Sequence, residues 1–567
     1  MTWQTTNTAK GDNKLYSDAK GVVPSLDLRF ASQKNLNDYM TGTPLVDHQR
    51  SMSGSNLSPG TFVNSSGLIE TAKVNLLTRS QEFNETNWTK SGGGVAAVPS
   101  VTANAEIAPD GTLTADRVVF SLNGGTSLSD ISDLRQTVVT GTGAYTVSFY
   151  IRSFDGTSSY SFLLRDGNGL VSLFNVTGSW QRIEVSSPNY VAGSKFIGFV
   201  LRGGTGTSSS ADILVWGAQL EEGTTATTYI PTTNATSAAP RFDHDPTTDE
   251  SLGLLIEESR TNLIAYSQAI GPGNDNFGTN ASTVTQNAAV SPDGTTTATS
   301  ISGDVTYAEV SKAGLTVGAE YTFSFYVKTV TKTSLQFGVS GVAVAVVSVT
   351  PNEWNRVSIT FTTVAQFAIL RFYGAGAPGE PLLVWGAQFE LGSFPTSYIP
   401  TNGTALTRNA DLASITGSNF SSWYNQSEGT VFGNYSSFSY GNATTLPTTA
   451  HFTDGTLSNY IRLNSGSAYV VRNFTNTGNV NQSNVTTGGV PASGVSYSFA
   501  VGIALNDMAV YANGLSNFDT TYLVPVVNKI QIGNWFTQSN TWLNGTISRL
   551  TYFPERLPDA TLQAITA

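Results

Sequence analysis

Few residues in this chain are spaced for catalysis. The three histidines, His48, His244 and His451, lie far apart in sequence, with no ligand or relay spacing among them. No helical His pair of the zinc-protease kind occurs, and no Gly-x-Ser-x-Gly elbow. The absence of cysteine excludes disulfides, thiolate metal sites and a cysteine nucleophile together. The run Gly374–Gly379, GAGAPG, matches a dinucleotide fingerprint literally. It is followed by the strand-like PLLVWGAQ rather than by a helix, so it reads as a hairpin loop. Asp243, Asp245, Asp249 and Glu250 offer hard oxygen ligands for calcium but lack calcium-loop spacing, and read as part of a solvated linker. A glycosidase needs only two carboxylates ~5–10 Å apart. With 40 acidic residues, the sequence locates no such pair. The expectation is a protein that is not an enzyme, with no catalytic residue, no metal site and no cofactor.

Aromatic residues are better placed for recognition. Trp180 with Trp354, and Trp216 with Trp385, recur beside apolar strands at equivalent positions, which reads as core packing. Sugars stack their apolar faces on exposed rings while polar neighbours bond the hydroxyls, so unpaired aromatics are the better carbohydrate candidates. Trp535, Phe536 and Trp542 flank the polar loop FTQSNT and are the carbohydrate-binding candidates, with the edge of a core as the competing reading. Trp88 and Trp423 are further candidates with no better claim.

The elements that position these residues come from a duplication. DILVWGAQLEEGTTATTYIPTT, from Asp212, returns as PLLVWGAQFELGSFPTSYIPTN, from Pro381. LIETAKVNLLTRSQEF (Leu68 to Phe83) matches LIEESRTNLIAYSQAI, and APDGTLTADRV (Ala108 to Val118) matches SPDGTTTATSI. YTVSFYIRS (Tyr145 to Ser153) matches YTFSFYVKT, and SWQRIEV (Ser179 to Val185) matches EWNRVSI. Colinear matches of this density establish an internal repeat. The offset shrinks between Asn75/Asn262 and Trp216/Trp385, so the deletions fall in loops. Val147, Phe149 and Ile151 alternate with more polar residues, the period-2 signature of a half-buried strand. The Pro-Asp-Gly triplets at Pro109 and Pro292 are turn chemistry. Neither copy shows an amphipathic helix. The fold class expected is all-β: tandem β-sandwich (jelly-roll) domains, two of them duplicated copies, followed by a C-terminal sandwich.

Composition bounds the rest. A length of 567 residues suggests three or four domains. The expected division is an N-terminal arm with lead-in strands over 1–67, repeats over 68–233 and 255–403, a linker over 234–254 and a C-terminal jelly roll over 404–567. SLDLRFA, Ser25 to Ala31, reads as a strand, and TFV with LIETA as a hairpin. Charged residues are only 12%, so Ser, Thr, Asn and Gly must supply solubility. A net charge of −11 with no basic run argues against nucleic acid. No stretch approaches the ~18 apolar residues of a membrane span, and the N-terminus carries no signal-peptide core.

Two resemblances add to this. Val510-Tyr511-Ala512-Asn513-Gly514, then Ile530 to Gly533, Leu543 to Ile547 and Leu550 to Phe553, resemble the closing strands of concanavalin- and laminin-G-like jelly rolls. ERLPDATLQAI, from Glu555, resembles the short helix that follows them. The metal ligands of the lectin members are not matched. More broadly, NLLTRSQEFNETNWTK (Asn75 to Lys90), PRFDHDPTTDESLGLLIEESRTNL (Pro240 to Leu263), VWGAQLEEG (Val215 to Gly223) and SITGSNFSSWYNQSEGTVF (Ser414 to Phe432) resemble tailed-bacteriophage fibre and head-spike proteins. That resemblance implies a structural component at the virion surface. Other virion proteins (capsid, portal or tail) would hold it through its N-terminal region, and it would adhere to cell-surface glycans, most plausibly as a homotrimer. A polysaccharide-degrading tailspike and a ligand-free decoration protein are the alternatives.

Overall fold

The computed structural model describes residues 15, 19, 22–271, 273–274, 277–280, 283–302, 307–373, 380–438, 446–466, 469–489, 491–535 and 541–567. The chain divides into two compact units: a smaller one of 49–53 and 73–239, and a larger one of 1–48, 54–72 and 240–567.

The smaller unit is a sandwich of two five-stranded antiparallel sheets. One runs in the order Leu170–Val176, Tyr160–Asp166, Gly193–Arg202, Ile131–Thr140, Trp88–Gly93. The other runs Gln181–Tyr190, Gly143–Ser153, Ser210–Glu222, Ala115–Ser121, Ser100–Glu106. Val147, Phe149 and Ile151 all point into its core, as their alternation predicts, and pack with Phe162, Phe199 and Trp88.

Within the larger unit, residues 262–391 build the second sandwich with the same strand orders. Its sheets run Gly278–Asn280, Tyr307–Ala313, Phe367–Tyr373, Ser334–Val339, Ala343–Ser348 and Thr283–Ala289, Ala298–Ser302, Leu382–Leu391, Glu320–Lys328, Asn355–Thr362, each in the reverse of the first copy's sequence of strands because it is read from the opposite edge. The duplication therefore extends from sequence to topology.

The repeated Trp-Gly-Ala-Gln has a local cause. Tyr150 pairs with Trp216 but Ser148 with Gln219, so an extra residue bulges from the longer strand. Gly217 takes it with φ +64°, and Gly386 does the same with φ +64° in the second copy. A Cβ on Gly386 would stand 3.1 Å from the Tyr326 ring. The bulge turns the indole of Trp216 toward Thr114, just past the Pro-Asp-Gly turn, and Nε1 donates to its Oγ1 at 3.0 Å. Trp385 repeats this with Thr297 at 3.0 Å. Both indoles are buried, so their recurrence marks packing.

The third sandwich pairs two larger sheets. One contains Phe242–His244, Ser251–Ile256, Gly545–Phe553, Glu428–Ser437, Ser496–Ala504, Asp507–Ala512 and Leu515–Asp519, with Leu26–Leu28 added alongside Gly545–Phe553. The other contains Asp47–Gln49, Leu412–Thr416, Lys529–Ile532, Thr448–Thr453, Tyr460–Gly466, Tyr469–Thr477 and Val480–Thr486. The closing helix is present at Asp559–Thr566.

Three expectations change here. The segment 234–254 is no linker: Phe242–His244 and Ser251–Ile256 are strands, and Leu254 faces Ile547 in the C-terminal sheet. Its apolar SLGLLI is short and was hidden among charged neighbours, but it covers an otherwise open sheet edge. The described residues of the N-terminal region are also packed on this sandwich. Leu26 pairs with Tyr552, and Leu15 and Ala19 share a small core with Leu562 and Ile565 of the closing helix. SLDLRFA splits into strand Leu26–Leu28 and a helical turn, Phe30–Gln33, because Phe30 and Ala31 are both buried. The hairpin is present as Thr61–Val63 paired with Ile69–Thr71.

Buried charge fixes these segments. Arg241 contacts Glu257 at 2.8 Å and Asp411 at 2.6 Å, and Arg408 reaches Glu257 at 3.0 Å. All four side chains are fully buried. Glu257 also accepts from Ser397 N at 2.7 Å and Oγ at 2.6 Å. One carboxylate thereby ties the strand Ser251–Ile256 to the exit tail of the second repeat. The two guanidiniums hold its pKa down against the opposing effect of burial, the larger single influence.

Candidate functional site

The sequence-derived candidates separate. Trp542 is half-buried against the core of the third sandwich, and its Nε1 donates to Asp411 O at 3.0 Å. It is a packing residue at a core edge. Trp88 and Trp423 lie inside cores. Phe536 lies outside the described residues, as does GAGAPG. Trp535 alone is brought into an aromatic cluster on the sheet containing Tyr460–Gly466.

Strand alternation builds that cluster. Ala450, Phe452, Ile461, Leu463, Ile530 and Ile532 fill the core. Their neighbours His451, Tyr460, Arg462 and Gln531 must therefore face the other way. Register aligns them: His451 sits opposite both Arg462 and Gln531, and Arg462 opposite Phe474. The Arg462 guanidinium lies 4.2 Å from the Trp535 ring centroid and 5.3 Å from that of Phe474. Arg472, two residues before Phe474 on the same strand, lies 4.9 Å from its ring and donates to Asn484 Oδ1 at 2.6 Å. Tyr460 and Phe474 stack at 5.9 Å with planes 16° apart, and Tyr460 is 6.1 Å from Trp535.

Exposure grades across this face. His451, Tyr460 and Arg462 are buried, whereas Trp535, Phe474, Arg472 and Gln531 are partly open and Asn484 is exposed. Trp535 Nε1 and both polar atoms of the Asn534 side chain are buried and find no hydrogen-bond partner among the described residues. His451 Nδ1–H donates to Gln531 Oε1 at 2.9 Å. Burial pushes its pKa down to about 4, opposed by the Gln531 bond and reinforced by the charges of Arg462 and Lys529. The imidazole is neutral at pH 7, which suits a scaffold and gives no acid for catalysis.

The face thus combines partly exposed rings, held rigid by cation–π contacts, with planar polar groups at their edges. Such a surface binds amphipathic rings with polar rims. His451, Tyr460, Arg462, Arg472 and Phe474 escape a motif search. The signal was the period of 2 in Tyr460-Ile461-Arg462-Leu463 and in Arg472-Asn473-Phe474, which places ring and guanidinium on one face.

The acidic cluster disperses. Asp245 caps a turn by accepting from Thr247 N and Thr248 N, while Asp243 lies in a strand and accepts from Val63 N at 2.7 Å. His244 contacts Val63 O at 2.9 Å, and His48 lies 3.4 Å from Asp411. Among the described residues no group of three or more His, Asp or Glu side chains could hold a metal ion. No described helix is long and apolar enough to cross a membrane.

No family model matches the chain, and no curated protein matches it in sequence. Solved structures with partial similarity include the carbohydrate-binding module CBM40 of the Ruminococcus gnavus IT-sialidase bound to α2,3-sialyllactose. It is 19% identical, spans 25% of this chain and 84% of its own, and has a TM-score of 0.22. The CBM22-1–CBM22-2 tandem of Paenibacillus barcinonensis Xyn10C spans 57% of this chain and 100% of its own at 15% identity and a TM-score of 0.23. The baseplate tripod (BppUct-A-L) of bacteriophage Tuc2009 spans 55% and 100% at 14% identity and a TM-score of 0.16. At these scores none of them bears on which ligand the chain takes.

Proposed function

We propose that this protein is a non-catalytic glycan-binding component of a tailed-phage particle, a head spike or tail fibre at the virion surface. The observation that carries the glycan reading is the partly open platform of Trp535, Phe474 and Arg472, backed by the buried Tyr460 and Arg462. The virion assignment rests on the sequence resemblance in Asn75 to Lys90, Pro240 to Leu263 and Ser414 to Phe432. In this reading the N-terminal region attaches the chain to capsid, portal or tail, and a homotrimer multiplies weak sites into useful avidity. A glycan array probed with the full chain tests binding. Retention of a defined set of glycans that is lost in Trp535→Ala supports the platform, and an empty array across a broad panel rejects it. Incubation with capsular polysaccharide should leave chain length unchanged; shortening would make the protein an enzyme.

A further inference from the structure

The larger unit contains a cavity of about 350 Å³ away from that platform. Its walls come from the hairpin Thr61–Thr71, the strand Phe242–His244, the second repeat, and Phe438 with Ser493 of the third sandwich. The volume lies at the lower end of ligand pockets, ~300–1,000 Å³. Phe62, Val63, Ile69 and Pro395 supply apolar walls, while Asp243, Arg356, Ser358 and Ser397 supply polar groups.

The duplication provides an internal control. Tyr326 and Arg356 are cross-strand partners, with the guanidinium 5.5 Å from the ring. Tyr150 and Arg182 repeat the pair at 5.4 Å in the first copy. There Glu184, two residues on, lies 3.6 Å from Arg182, which also donates to Ser148 Oγ at 2.9 Å. In the second copy the position of Glu184 is Ser358, which lines the cavity. Arg356 donates to Thr396 O, and the carboxylate that Glu184 sets beside Arg182 has no counterpart next to it. The carboxylate lining this cavity is Asp243, which belongs to the C-terminal sheet. Tyr326 lies within electrostatic reach of both Asp243 and Arg356.

We propose that this cavity is a second saccharide subsite, taking a neutral sugar ring whose hydroxyls donate to Asp243 and accept from Arg356. One carboxylate and one guanidinium leave no net charge for the ligand to cancel. Serine hydroxyls and apolar walls suit a molecule with a polar rim and carbon faces, which describes a pyranose. The replacement of Glu184 by Ser358 between the copies is what leaves Arg356 available.

Lactose, maltose, cellobiose and xylobiose are the probes, each titrated by saturation-transfer NMR against the full chain and three variants. Ser358→Glu restores the first-copy arrangement at an exposed strand position, so the fold survives, as circular dichroism would verify. Asp243→Asn removes the charge and turns one acceptor oxygen into a donor, and Trp535→Ala disables the platform. At least one sugar should bind wild type and Trp535→Ala alike, and lose at least tenfold in affinity with Ser358→Glu and with Asp243→Asn. No binding to Trp535→Ala, or unchanged affinity in either cavity variant, overturns the inference. Loss only in Trp535→Ala does so while leaving the platform standing.

Discussion

Gln388 Oε1 accepts the backbone N–H of Ile399 at 2.7 Å, and Gln219 holds Ile230 in the first copy at the same 2.7 Å. The Gln388 amide donates to Glu390 at 2.9 Å, and Glu390 in turn accepts from Thr396 N at 2.7 Å. The last strand of each repeat thus clasps its own exit tail through buried side chains.

Replacing Gln388 by Leu leaves the Ile399 N–H unsatisfied in the interior and takes one of two donors from Glu390 Oε1, which keeps Thr396 N. An orphaned buried group costs roughly 1–3 kcal/mol, so a loss of about 2 kcal/mol is expected in urea unfolding of the larger unit. Gln388→Glu, which keeps an acceptor for Ile399 but sets a second carboxylate beside Glu390, should destabilise as well.

Glu257 is the more severe test. Its partners Arg241 and Arg408 are both fully buried, so Glu257→Ala strips Arg408 of its carboxylate and leaves Arg241 with Asp411 alone. Breaking a buried pair by removing one partner costs about 3–5 kcal/mol. Limited proteolysis should then cut near Ser397 and Arg408 first, since those segments lose their common anchor.

Trp535 and Trp542 should behave oppositely. Trp535→Ala should lose the glycans held by the platform, with a small change in melting temperature. Trp542→Ala removes a ring packed on the core and the bond to Asp411 O, and should cost about 2–4 kcal/mol while sparing binding in whatever fraction remains folded.

Acid should weaken the third sandwich through His451. Its folded pKa of about 4 lies below the unfolded value near 6.5. The unfolded chain therefore binds more protons between these values. The stability His451 contributes is full above about pH 6.5 and is lost as pH falls toward 4, by up to about 3 kcal/mol. Measured by chemical denaturation across pH 4–7, His451→Gln should flatten this slope, because Gln carries no titrating group. An unchanged slope would assign the acid sensitivity elsewhere.

Much of the architecture is local and so was legible in the chain itself. Period-2 alternation in Tyr145 to Ser153, the paired Pro-Asp-Gly turns and the repeated Trp-Gly-Ala-Gln specify an all-β duplication, because each depends on neighbours within a few residues. Trp216 and Trp385 were legible as core for the same reason: a residue kept in both copies beside an apolar strand is held by packing.

What the tertiary structure decided is where distant segments meet. SLGLLI became a strand of the C-terminal sheet only because Gly545–Phe553 presents an edge to pair with, a partner roughly 290 positions away that no local pattern encodes. Asp243 read as part of a solvated acidic run until the fold set it against Val63 and beside Tyr326. Trp535 and Trp542 flank one loop and share one composition, yet alternation turns one toward Arg462 and packing sends the other to the core. A sequence specifies which side chains a strand places on each face; only strand pairing decides what those faces meet.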